Sequence, residues 1–115
     1  MQKTNAHRDP AVDRDLYSGL MRLHVLHCAT EGPVFGLGVV DELARRGYRI
    51  SPGTLYPLLR GLEKKGYLSS MQQRNGKSLR TIYRATPAGR KALAAAAAKV
   101  RELIGERMEG QRRAC

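Results

Sequence analysis

The stretch SPGTLYPLLRGLEKKG, Ser51 to Gly66, runs without a break into YLSSMQQRNGKSLRTIYR, Tyr67 to Arg84. Ser51-Pro52 places a capping hydroxyl just before a proline at the first helical position, where the missing N–H has no intrahelical partner to lose. Leu55, Leu58, Leu59 and Leu62 then recur at i, i+3, i+4 and i+7, which predicts a helix to about Lys65 that Gly66 ends. Pro57 falls in its second turn, where it deletes one hydrogen bond and bends the helix slightly. Beyond Gly66 the period becomes extended. Residues 67–73 and 78–84 flank Arg74-Asn75-Gly76-Lys77, and an Asn-Gly step between two extended runs predicts a β-hairpin. A short helix thus leads directly into a basic hairpin.

Upstream, a helix is predicted from about Arg14 to Thr30, with Leu16, Leu20, Leu23 and His27 along one stripe and Tyr17, Met21, His24, Val25 and Cys28 beside it. A stripe this wide needs partners on two sides. Glu31-Gly32-Pro33 stops that helix. A second helix is read from about Val34 to Arg46, with Val40, Leu43 and Ala44 inward; Gly36 and Gly38 mark the close approach of a neighbouring helix. Tyr48-Arg49-Ile50 connects it to the third. Downstream, Thr86-Pro87 repeats the cap-plus-proline start, and a last helix runs to about Glu109. At about 1.5 Å per residue it exceeds 30 Å, too long for this small domain to cover alone. Its apolar line is Leu93, Ala96, Ala97, Val100, Leu103 and Ile104, close to a heptad seam. Residues 1–13 read as a flexible arm, 14–85 as the domain, 86–109 as a dimerisation helix and 110–115 as a flexible tail.

A chain of 115 residues is one domain with a short extension. Its formal net charge is +11, and the excess is concentrated. Between residues 60 and 91 there are nine basic side chains against the single acid Glu63, whereas residues 1–59 are nearly balanced. Such a field attracts a polyanion, nucleic acid before an acidic membrane. Uncharged runs such as Gly32 to Val40 reach only about half a membrane span. No apolar leader segment opens the chain, and Cys28 and Cys115 make no disulfide framework, so a cytoplasmic location is expected.

Three short helices, a hairpin and a long helix describe an α+β fold, mainly α: a winged helix-turn-helix with one long C-terminal dimerisation helix. In that geometry the third helix enters the major groove and the hairpin, or wing, lies on a neighbouring groove or the phosphates. Both of those elements carry the basic charge here. The candidate DNA-binding residues are Ser51, Thr54, Tyr56, Arg60 and Lys64 on the third helix and Arg74, Asn75, Lys77 and Arg80 on the wing. Thr54 and Tyr56 stand in the first turns; an alternative for Tyr56 is to fold back over Pro57 and Leu59. Arg60 can grip guanine or hold a phosphate, and Lys64 neutralises backbone charge. Arg80, Ile82 and Arg84 share one strand face and Leu79, Thr81 and Tyr83 the other, with either face a candidate for burial.

The candidate dimer seam comprises Leu16, Leu20, Leu93, Ala97, Val100, Leu103 and Ile104. His24, His27 and Cys28 at i, i+3 and i+4 are of metal-binding types, but no fourth ligand accompanies them and packing is the preferred reading, so neither metal nor cofactor is expected. With no carboxylate pair, no Ser-His-Asp order and no phosphate loop, an enzyme is not expected.

The run Ser51 to Leu68 also resembles the signature of the PadR family of bacterial transcriptional regulators, as do Glu31-Gly-Pro-Val-Phe-Gly36 and Ile82-Tyr-Arg-Ala-Thr-Pro-Ala-Gly-Arg90. The likeness spans about residues 16–108. It implies a winged helix-turn-helix that represses transcription as a homodimer, with the last helix exchanging contacts between subunits, and the short length resembles the family's compact branch. Leu37 stands where the family often has Tyr. Some compact members hold flat aromatic drugs between Trp residues; this chain has no Trp, and that role is not carried over.

The functional expectation is therefore a homodimeric, sequence-specific DNA-binding regulator, a repressor on an inverted-repeat operator in double-stranded DNA. A small-molecule effector at the dimer interface would release it. The alternatives are a sequence-independent architectural DNA-binding protein, and a protein-interaction module that no longer meets DNA.

Overall fold

The computed structural model describes residues 14–112, and side chains within 17–105. The elements run α1 (Arg14–Glu31), β1 (Val34–Phe35), α2 (Gly36–Arg45), α3 (Pro52–Lys64), β2 (Leu68–Asn75), β3 (Ser78–Ala85) and α4 (Pro87–Arg112). No described helix is long and apolar enough to cross a membrane.

Three short helices close around one core. Val25 of α1, Leu43 of α2 and Leu55 and Leu59 of α3 are fully buried, and Leu68 and Tyr83 bring the sheet against them. Each such side chain contributes about 1.5–3 kcal/mol of burial. The α3 start forms as its sequence dictates: Ser51 Oγ accepts from Thr54 N at 3.3 Å, Pro52 opens the helix, and Pro57 lies inside it on the exposed side.

Two readings of the sequence are corrected here. Val34 and Phe35 are not the first turn of a helix. They form a short strand antiparallel to β3, with Val34 opposite Tyr83 and Phe35 opposite Ile82, so the sheet has three strands in the order β1-β3-β2. Pro33 has no N–H to start a helix, and a β-branched and an aromatic residue suit a strand that Gly36 then turns into α2. The inward face of α2 is accordingly Gly36, Val39 and Leu43, with Ala44 exposed and Val40 half-buried.

The hairpin turn also lies one residue later than the Asn-Gly step suggests. Asn75 pairs with Ser78 as the last rung, and Gly76-Lys77 make the two-residue loop. Gly76 has φ +69°, the left-handed value demanded at the first loop position. Nor does one face of the wing stay wet. Tyr83 enters the helical core, and Ile82 is buried on the opposite side of the sheet.

The entry to α4 is tied down three ways. Thr86 N donates to Tyr67 O at 3.0 Å, the Thr86 hydroxyl donates to Gly66 O, and Gly89 N donates to Thr86 Oγ1 at 3.0 Å. Helix α4 then packs along α1, where Arg90 Nη2 donates to the Thr30 carbonyl at 3.2 Å. Further on it leaves the domain, and residues 101–105 are all exposed.

Tyr17, His24 and Tyr48 form an edge-to-face aromatic cluster, with the His24 ring 5.1 Å from Tyr48 and the Tyr17 ring 5.7 Å from it. Burial, and then the Arg46 and His27 charges, hold His24 below its ordinary imidazole value. An unfolded His24 therefore takes up a proton before the folded one does. Stability is complete above the unfolded value near 6.5 and declines as the pH falls through the folded value. Thermal melts from pH 7.5 to 5.5 should show the loss, and His24→Gln should flatten the slope; an unchanged slope would contradict the assignment.

Candidate nucleic-acid interface

Helix α3 and the wing stand next to each other, with Leu59 and Leu62 of α3 in one core with Leu68 and Tyr83, and Glu63, near the end of α3, accepts a 2.6 Å hydrogen bond from the Ser70 hydroxyl of β2. Glu63 is thereby half-buried and engaged, which removes the one acid of the basic region from the exposed surface. The remaining face of α3 presents Thr54, Arg60 and Lys64 to solvent. Thr54 Oγ1 lies 3.3 Å from the Ser51 hydroxyl, so both are held at the first turn.

Tyr56 is 37% exposed. Its ring lies against Gly36: a Cβ added there would meet the Tyr56 hydroxyl oxygen at 2.6 Å and ring carbons at 2.7 and 2.8 Å. The close approach predicted at Gly36 is therefore made by this side chain of α3. Gly38 accommodates Phe35 instead, whose Cζ would stand 3.2 Å from an added Cβ.

On the wing, Arg74, Asn75 and Lys77 are exposed at the tip. Arg80 is not there. Its guanidinium carbon lies 4.2 Å above the Phe35 ring centroid, and its Nε and Nη2 donate to Gln73 Oε1 at 3.3 and 3.2 Å.

The electrostatics divide the molecule. Every ion pair among the described residues lies outside residues 60–91: His27 with Glu31, Arg45 and Arg46 with Glu42, and Lys99 with Glu102. Arg45 and Arg46 hold the Glu42 carboxyl below its usual range, the Arg45 hydrogen bond contributing most. None of the nine cations between Arg60 and Lys91 has a carboxylate within 4 Å among the described residues. Structural cations are neutralised locally; these are left for an outside anion.

The seam residues divide as well. Leu103 is 60% exposed, Ile104 54% and Leu20 40%, while Val100 and Ala97 are half-buried. Leu93 is half-buried and packs against the chain's own core. The side chain of Leu16 lies outside the described residues. Between α1 and α4 runs a largely apolar groove lined by Leu20, Leu23, Leu26, Tyr67, Ala92 and Ala96.

The metal-type cluster on α1 is drawn apart. His24 packs on Tyr48, His27 Nε2 stands 3.3 Å from Glu31, and Cys28 is half-buried with its thiol pushed up by burial. No group of three such side chains among the described residues is arranged to hold a metal ion.

Sequence reasoning missed Phe35 as the seat of Arg80, Ser70 as the partner of Glu63, and the need for glycine at position 89. Only the first left a trace, in the Val34-Phe35 pair between Pro33 and Gly36.

A helix-turn-helix joined to a three-stranded sheet, with unpaired cations on its third helix and its wing, defines a winged helix-turn-helix protein. Residues 25–95 match the Transcriptional regulator PadR-like family. The chain is 46% identical over 98 residues, 85% of its length and 92% of the relative's, to the transcriptional regulator Rv3488 of Mycobacterium tuberculosis. The crystal structure of a PadR family transcriptional regulator from Eggerthella lenta is 34% identical with a TM-score of 0.74, over 83% of this chain and 84% of that one. Bacillus subtilis PadR, solved in complex with operator DNA, is 19% identical with a TM-score of 0.59, over 66% and 45%, a likeness of fold. This chain belongs to the PadR-like family of transcriptional regulators, and is not an enzyme.

Proposed function

We propose that the chain is a homodimeric repressor that binds an inverted-repeat operator in double-stranded DNA. The observation that carries this reading is the concentration of unpaired cations on α3 and the wing, while every ion pair lies elsewhere among the described residues. Thr54, Tyr56 and Arg60 are the base-reading candidates, the Tyr56 ring lying against Gly36. Ser51 and Lys64 on α3, with Arg74 and Lys77 at the wing tip, hold phosphates, and Asn75 reaches the adjoining groove.

Pairing through the exposed end of α4 and the α1–α4 groove sets two copies of α3 one helical turn of DNA, or a multiple, apart. That spacing blocks or admits the operator according to the angle between the halves. An effector bound where the copies meet releases DNA by favouring the other angle. A role on DNA would put the chain in the cytoplasm.

Selection from a random duplex library by the purified protein tests the reading. An enriched inverted repeat with that spacing is expected. Recovery of unenriched sequence at comparable affinity would favour an architectural DNA-coating protein instead.

A further inference from the structure

We propose that Arg80 is a positioning residue that fixes the angle of the wing to the body, and is not one of the wing's phosphate contacts. The proposal rests on the DNA-binding reading above and assigns a different role to one cation within it.

The geometry spans all three strands. From β3, the Arg80 guanidinium lies over the Phe35 ring of β1 at 4.2 Å and reaches Gln73 Oε1 of β2 through two N–H groups. Gln73 and Arg80 are direct cross-strand partners, the third rung from the wing tip. Phe35 is itself the residue that caps α2, and its ring sits in the space left by Gly38. The rung that bears the wing tip is therefore referenced to the start of α2 through one planar side chain.

The outer wing has little else to hold it. From Ser69 to Asn75 every residue of β2 is exposed, and Leu79, opposite Arg74, is 61% exposed. Arg80 and Thr81 are half-buried, and full burial resumes only at Ile82, the neighbour of Phe35. A guanidinium suits this place because it stacks with its face and donates from its edge; an ammonium cannot do both in one geometry. At a fixed wing angle, Arg74 and Lys77 meet phosphates at a set distance from α3.

Charge-conserving and charge-free substitutions separate positioning from contact. Wild type, Arg80→Lys, Arg80→Met, Phe35→Leu and Arg80→Lys/Phe35→Leu are compared by anisotropy on the library-selected duplex and a scrambled duplex, across a salt series. Positioning predicts that Arg80→Lys, although it keeps the charge, weakens the selected duplex about five- to tenfold at an unchanged salt slope. Phe35→Leu should match it, the double variant should be no worse than either single, and the scrambled duplex should respond little. In the free protein, amide exchange in residues 70–81 should rise in both single variants while α3 stays protected.

Near wild-type binding by Arg80→Lys, with a slope reduced by about one in Arg80→Met and a silent Phe35→Leu, would make Arg80 a phosphate contact and overturn the proposal. Unchanged exchange in the wing would overturn it independently of DNA. Equal wild-type affinity for both duplexes would instead refute sequence-specific reading, leaving the exchange arm to judge Arg80.

Discussion

Under the homodimer proposed above, a Leu103→Glu variant is expected to sediment as a monomer and the wild-type chain as a dimer. Leu103 and Ile104 expose more than half their surface on the single chain, on the part of α4 that has left its own domain. Apolar side chains at that density on a helix of 26 residues call for a second helix. Twofold pairing as proposed would bring each Leu103 into the same seam, so the substitution would bury two carboxylates. At several kcal/mol for the pair, the dissociation constant rises about 100- to 10,000-fold. The isolated fold should survive, because residues 101–105 cover none of its core. Monomer with a native circular dichroism spectrum is the expected result in the ultracentrifuge. A stable dimer would remove this seam from the account.

Gly89→Ala is expected to destabilise the fold more than any other single methyl added to α4. A Cβ at position 89 would come within 2.9 Å of the Tyr67 carbonyl carbon and closer still to its oxygen, and that oxygen already accepts from Thr86 N. The obstacle is backbone, so it cannot rotate away as a side chain would. Either the Thr86–Tyr67 bond or the first turn of α4 must give, at about 3 kcal/mol. For a domain of this size that lowers Tm by roughly 10–20 °C. Gly105→Ala is the control, since nothing lies within 4 Å of its added methyl and the substitution favours the helix by up to about 1 kcal/mol. Thermal unfolding of both variants decides. Equal melting temperatures would refute the close contact.

The helices and their order are readable in the sequence because each is marked by a local signal: leucines at helical spacing in α3, a hydroxyl-proline start at Ser51 and Thr86, glycine stops at Gly47 and Gly66. The strand at Val34-Phe35 is not, because two residues carry no period, and what makes them a strand is a partner some fifty residues away, Ile82-Tyr83. The turn lies one residue beyond the Asn-Gly step for a related reason. Asn75-Gly76 suits a turn by itself, and only the pairing of Asn75 with Ser78 decides which two residues form it. Among the site residues, those that project singly into solvent, such as Arg60 and Lys77, are placed by helix phase and turn position alone. Tyr56 and Arg80 also contact Gly36 and Phe35, partners from other elements that helix phase and strand alternation do not reveal.

If α3 reads bases while the wing tip holds the backbone, removing the same charge at two places should separate the two roles. Lys77 is exposed in the hairpin loop and Arg60 is exposed on α3, with neither in an ion pair among the described residues. Lys77→Ala should weaken the selected and scrambled duplexes alike and lower the slope of log affinity against log salt by about one. Arg60→Ala should cost about 1–3 kcal/mol on the selected duplex and much less on the scrambled one, relaxing preference at one base pair per half-site. Fluorescence anisotropy across a salt series with both duplexes measures the difference. A loss specific to the selected duplex in Arg60→Ala alone is the predicted result; equal losses for both variants on both duplexes would mean that α3 reads no base through Arg60 and that the chain coats DNA.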